Sequence, residues 1–91
     1  MFKFEWDQEK AKANHRKHRV SFEEAVSVFG DHNALTFADP DHSETEDRSR
    51  TFGLSNLQRV LVVIHTDRRL GIRIIIARKA TKYEENIYQN G

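Results

Sequence analysis

Between residues 34 and 77 the chain carries four short runs of β-forming residues: Ala34 to Ala38, Arg48 to Leu54, Arg59 to His65 and Ile72 to Ala77. The connections between them are too short for the crossover helix that parallel neighbours need, so consecutive strands are expected to run antiparallel, as a meander. Ser55 and Asn56 mark a tight turn, and Asp67 to Gly71 a longer one. In Val60 to Ile64 and Ile74 to Ile76 apolar side chains occupy successive positions, which predicts central strands covered on both faces.

Helices must supply that cover. Asp7 is a good N-cap for a helix through about Lys17, whose small apolar residues are Ala11 and Ala13. Ser21 and Glu24 have the spacing of a capping box, with Val20 and Ala25 flanking it as a hydrophobic staple. Phe22, Ala25, Val26, Val28 and Phe29 then form an apolar stripe at helical spacing, and Gly30 stands where a left-handed C-terminal cap is expected. Helix formers return from Ala80 to about Gln89. Ahead of all this, Phe2, Phe4 and Trp6 alternate with polar residues, the period of a short strand at a sheet edge. The fold class is α+β: N-terminal helices, an antiparallel meander of about four strands with room for a short N-terminal one, and a C-terminal helix. With 91 residues there is material for one hydrophobic core, so residues 1–91 are read as a single domain.

Composition narrows the function classes. No cysteine is present, which excludes thiolate nucleophiles, thiolate metal sites and disulfides and suits a reducing cytoplasm. The opening MFKFEWDQEK lacks the apolar stretch of a signal peptide, and the apolar run Val60 to Ile64 is too short to span a bilayer. A cytoplasmic protein with no membrane partner is expected. Net charge is only +1, yet charge is segregated along the chain. Lys10, Lys12, Arg16, Lys17 and Arg19 follow one another with His15 and His18 among them and no acid between. Asp39, Asp41, Glu44, Glu46 and Asp47 crowd one loop, and Arg59, Arg68, Arg69, Arg73, Arg78, Lys79 and Lys82 face only Asp67 in the stretch that follows.

The residues in order are informative beyond their types. Phe4-Glu5-Trp6-Asp7 opens the chain, and Lys17-His18-Arg19-Val20-Ser21-Phe22-Glu23-Glu24-Ala25 follows a short helix later. Then come Val28-Phe29, His42-Ser43-Glu44-Thr45-Glu46-Asp47-Arg48, Gly53-Leu54-Ser55, Arg59-Val60-Leu61, Ile72-Arg73-Ile74-Ile75 and Ala77-Arg78. In this sequence of blocks the chain resembles the BrnT family of toxins over nearly its whole length. The resemblance implies a RelE-like fold and a bacterial type II toxin that cuts RNA. It also implies a BrnA-type antitoxin as partner, in a heterotetramer with a dimeric antitoxin, and contact with DNA only through that antitoxin.

RelE-like ribonucleases often work with a cationic cluster and a carboxylate or tyrosine, and the physics is sound. A ribose 2′-hydroxyl attacking the adjacent phosphate builds charge on the phosphoryl oxygens, and fixed Arg or Lys groups favour that transition state over the ground state. Such chemistry requires no metal and no cofactor. On strand parity Arg59 lies at a strand end, and Arg73 and Arg78 fall on opposite sides of a regular strand, so that a β-bulge is needed to reunite them. Arg59, Arg73 and Arg78 are read as the phosphate clamp, with the Glu46 carboxylate or the His42 imidazole as candidates for proton transfer. Lys17, His18, His42, Arg48 and Tyr88 are the expected substrate contacts. The bland alternatives are a surface ion pair for each arginine, a turn cap for His42, an anchor for arginine in Glu46, and helix packing for Tyr88; Trp6 is read as a core or interface aromatic. His15 and His18 are three apart on a helix, too little to define a metal site.

Three positions depart from the family pattern: Arg19 and Gln58 stand where glycine is usual, and Ile76 where serine is usual. Arg19 makes a left-handed turn between the helices less comfortable, and Ile76 removes a hydroxyl from the expected active surface. The competing reading from another class is therefore a non-catalytic module that binds RNA or the antitoxin.

Overall fold

The structure, a computed structural model, describes residues 3–43 and 45–91; Phe2 of the alternating N-terminal segment and Glu44 of the acidic loop lie outside the described residues. Within them the chain forms β1 (Lys3–Glu5), α1 (Gln8–His18), α2 (Phe22–Val28), β2 (Leu35–Ala38), a 3-10 turn at Pro40–His42, β3 (Ser49–Leu54), β4 (Val60–Arg68), β5 (Gly71–Lys79) and α3 (Lys82–Asn90).

The sheet has five strands in the order β1-β5-β4-β3-β2. From β2 to β5 each strand runs antiparallel to the next, whereas β1 lies parallel to β5, so the sheet is mixed and not antiparallel throughout. The reason is connectivity. Short links constrain only neighbours in sequence, and β1 reaches β5 across two helices and three strands. Its approach is close: a Cβ added to Gly71 would stand 1.9 Å from the Lys3 carbonyl oxygen, so glycine is what admits β1 to the edge. The turn expected over Asp67 to Gly71 is tighter than that, because Arg68 pairs with Gly71 and only Arg69 and Leu70 lie outside the ladder.

Helix ends follow local chemistry in most places. Asp7 Oδ1 accepts from the Lys10 N–H at 3.0 Å, and Ser21 Oγ accepts from the Glu24 N–H at 3.0 Å. The second box is only half made, since the Glu24 carboxylate turns instead to Arg59 and Ser55. Gly30 does not provide a left-handed cap. The chain leaves α2 through Phe29 at φ −72°, and the Gly30 and Asp31 N–H groups donate to Ser27 and Val28 carbonyls in a continuing right-handed turn. Left-handed backbone occurs instead at Arg19 (φ 59°) and Gln58 (φ 64°). At α3 a complete capping box, Thr81 with Glu84, begins the helix.

Two cores form, one on each side of the sheet. Helices α1 and α2 cover Leu61, Val63, Ile72, Ile74 and Ala77 with Val20, Phe22, Ala25 and Val28. On the other side α3 brings Ile87 and Tyr88 against Phe52, Val62 and Ile64. Burying Phe22 completely is worth about 2–3 kcal/mol, so the α2 face is the firmer attachment. Where β1 ends, the free edge of β5 is closed by a side chain: Asn14 Nδ2 donates to the carbonyls of Ala77 and Val20 at 2.8 and 3.0 Å, and its Oδ1 accepts from the Ala77 N–H at 3.1 Å. Asn14 thereby fixes α1 against β5.

Candidate functional site

Arg73 and Arg78 lie on the same face of the sheet. Opposite β4, Ile64 pairs with Ile76 but His65 pairs with Ile74, so Ile75 is an extra residue and the parity of β5 reverses there. Arg73 pairs with Thr66 and Arg78 with Val62, two β4 positions on one side of the strand. The same face carries Arg50 and Phe52 of β3 and Phe37 of β2, through the pairs Arg50–Ile64, Phe52–Val62 and Phe37–Arg50. Helix α3 covers the Phe52–Val62 end of this face, where Arg78 meets Glu84 of the helix, and Arg50 and Arg73 lie farther along it.

Carboxylates orient several of them. Arg78 Nη1 and Nη2 donate to the two oxygens of Glu84 at 2.7 and 2.9 Å, a bidentate fork that holds the Glu84 carboxyl down at about 2. Arg73 Nη1 donates to Glu5 at 3.1 Å, across the β1–β5 pair. Arg68 Nη1 donates to Glu46 at 3.0 Å, and Arg48 stands 3.8 Å from the same carboxylate. The Arg68 hydrogen bond lowers the Glu46 pKa, which keeps that carboxylate ionised and makes it a weak proton acceptor.

Beside this face runs a groove of about 380 Å³, bounded by Lys10, Ala13, Asn14, Lys17 and His18 of α1 and by Arg48, Ile75 and Ile76. Of the expected substrate contacts it unites Lys17, His18 and Arg48. Burial lowers the His18 pKa, and the charges of Lys17 and Arg78 lower it further, so the imidazole is neutral at pH 7 and able to accept a proton. Ile76 forms part of the wall.

Other expected members stand elsewhere. Arg59 is at the opposite end of β4 from Thr66 and Arg73, tied to Glu24 and to the Arg19 carbonyl. Tyr88 donates to Asp31 Oδ2 at 2.5 Å, a bond that pushes its phenol up to about 12 and ties α3 to the segment after α2. His42 Nδ1 bonds the buried Asp39 carboxylate at 2.6 Å and borders a separate hollow with Asp41, Thr45 and Arg48. Among the described residues no group of three or more His, Cys, Asp or Glu side chains is placed to hold a metal. His15 and His18 line different grooves, His15 one that it shares with Ser21 and Phe22.

Sequence reasoning passed over Arg50, Phe37 and Asn14. Alternation along β3 puts Arg48, Arg50 and Phe52 on one side, but that Phe37 stands beside Arg50 depends on strand register.

A family model described as the ribonuclease toxin BrnT of type II toxin-antitoxin systems matches residues 6–84. Among solved structures, the chain is similar to the crystal structure of the Brucella abortus ribonuclease toxin BrnT, with 23% sequence identity and a TM-score of 0.62, over 90% of this chain and 100% of that one. No curated protein matches it in sequence.

Proposed function

The chain belongs to the BrnT family of ribonuclease toxins of type II toxin-antitoxin systems, and from that premise we propose that it cuts RNA on the arginine face and adjoining groove, by attack of a ribose 2′-hydroxyl on the neighbouring phosphate without a metal or cofactor. The observation that carries this reading is the bulge at Ile75, which sets Arg73 and Arg78 on one face beside the groove. Arg73 keeps four N–H donors beyond its bond to Glu5, and Arg78 keeps two beyond its bonds to Glu84 and the Lys79 carbonyl. These donors stabilise charge as it develops on the phosphoryl oxygens. Neutral His18 takes the 2′-hydroxyl proton, while Lys17 and Arg48 hold the strand. Glu46 orients Arg68 and Arg48, and Arg59 serves the fold.

The partner is read as a BrnA-type antitoxin, dimeric and forming a heterotetramer with two toxin chains, and DNA is reached only through it. An acidic antitoxin segment covers the basic groove. Exposed charge pairs are screened over a Debye length of about 8 Å at physiological salt, so apolar burial supports the complex as well and it survives moderate salt. The fold is read as RelE-like and the compartment as the cytoplasm; among the described residues no helix is long and apolar enough to cross a membrane.

A second reading, a non-catalytic partner for the antitoxin, is favoured by one observation: both arginines already grip carboxylates of their own chain. Expression of the chain alone, followed by incubation of purified protein with RNA in the presence of chelator, separates the two. Arrested growth and metal-independent cleavage support the first reading. Unaffected growth and intact RNA at confirmed soluble expression support the second.

A further inference from the structure

Across the arginine face runs a single lateral row: Phe37 on β2, Arg50 on β3, Ile64 on β4 and Ile76 on β5, each directly opposite the next. Cross-strand partners share a face. Two members of this row are unusual for their surroundings. Phe37 is 40% exposed, on an edge strand, with its ring meeting the buried Phe52 ring at 5.4 Å between centroids and 60° between planes. Arg50 makes no side-chain hydrogen bond or ion pair among the described residues, and its Nε is buried without a partner. Leaving a buried donor unmade is costly, and more so for a charged group. Arg68, Arg73 and Arg78 have carboxylates to orient them, whereas Arg50 has no acceptor among the described residues. Arg48, two residues earlier on the same side, has a buried and unpartnered Nε too, and it also lines the groove beside α1.

We propose that Phe37 and Arg50 form a nucleotide subsite, in which a base of the RNA stacks on the Phe37 ring while Arg50 takes the adjoining phosphate. The strand then passes over Arg48 into the groove. A cationic track with an exposed aromatic beside it is how single-stranded nucleic acid is held with tolerance of sequence: the ring receives any base, and the guanidinium fork receives two phosphate oxygens. This subsite deepens the reading that RNA is cut on the arginine face and rests on it.

The test uses the whole chain and a labelled single-stranded oligonucleotide of about ten nucleotides, 2′-O-methylated so that binding is read without cleavage, together with a set carrying one abasic nucleotide at each position in turn. Phe37→Leu is expected to weaken binding by at least about fivefold and Phe37→Tyr to keep it, the scale and tolerance of base stacking. In the wild type one abasic position costs as much as Phe37→Leu, and in Phe37→Leu that position costs nothing further. Arg50→Gln weakens binding and lowers the slope of log affinity against log salt by about 1. Melting temperatures of the variants confirm that folded protein is compared. Wild-type affinity in Phe37→Leu and Arg50→Gln overturns the subsite and leaves the cleavage site standing if Arg73 and Arg78 variants lose activity. Unchanged RNA binding with weakened antitoxin binding in Phe37→Leu assigns the ring to the protein partner and also overturns it. Wild-type protein that binds none of the oligonucleotides overturns both readings together.

Discussion

Arg59 donates from Nε and Nη2 to the two carboxylate oxygens of Glu24, at 2.8 and 2.6 Å, and Nη2 also donates to the Arg19 carbonyl at 2.8 Å. One guanidinium thus fastens the start of β4 to α2 and to the turn between α1 and α2. Glu24 is 4% exposed and accepts from Ser55 as well, so removing its arginine strands a carboxylate in the interior. Arg59→Ala is expected to lower the unfolding free energy by about 2–3 kcal/mol, less than for a fully buried pair because Arg59 itself is partly exposed. Cleavage per folded molecule stays at the wild-type level. Urea denaturation and an RNA assay below the unfolding transition check the two halves of this expectation.

Arg19 and Gln58 adopt left-handed backbone, the conformation that glycine enters at least cost. A side chain there costs about 1–2 kcal/mol, partly offset by the extra unfolded-state freedom of glycine. Arg19→Gly and Gln58→Gly should each stabilise the fold by about 0.5–1 kcal/mol, measured by denaturant midpoint at unchanged slope. The Arg19 carbonyl that accepts from Arg59 is retained in the first variant.

Much of this architecture is legible from local chemistry. Asp7 and Ser21 announce their helices by side chains that reach the backbone three residues on, and the apolar runs of β4 and β5 announce burial on both faces. What local chemistry does not hold is register. The parity argument separates Arg73 from Arg78 unless a bulge intervenes, and nothing in Ile74-Ile75-Ile76 marks which isoleucine is the extra one. Arg59 and Tyr88 were legible as polar groups but not as partners of Glu24 and Asp31, which lie 35 and 57 residues away in the chain. Gly30 shows the converse, since a glycine after an apolar stripe fits a left-handed cap, yet here the α2 turn continues right-handed through it.

Acid sensitivity follows from the Arg78–Glu84 fork. The Glu84 carboxyl is depressed from 4.5 to about 2, so the unfolded chain binds its proton at a higher pH than the folded one. Its contribution is complete above pH 4.5 and is lost as pH falls toward 2. Glu24 is shifted in the same direction by Arg59 and adds to the slope. Unfolding free energy measured in urea between these two pH values should fall less steeply in Glu84→Gln than in the wild type. Equal slopes would remove the pair from the acid response.

The proton acceptor is separable by pH from a carboxylate. His18 is depressed below its ordinary 6.5, so cleavage by the wild type should persist somewhat below pH 6.5 and then fall as the imidazole protonates. In His18→Gln the rate is low and that acid limb is absent. A carboxylate base at Glu46 would instead carry activity to a much lower pH.

The most direct measurement is single-turnover RNA cleavage by Arg73→Ala and Arg78→Ala, in chelator, with the melting temperature of each variant and its affinity for uncleavable RNA. If these arginines stabilise the phosphoryl transition state from one face of the sheet, each loses roughly 10²-fold or more in rate while affinity changes only modestly. Lysine at either position rescues incompletely, because a point charge lacks the planar fork. Full activity in the alanine variants, or loss of wild-type activity on chelation, would contradict the account.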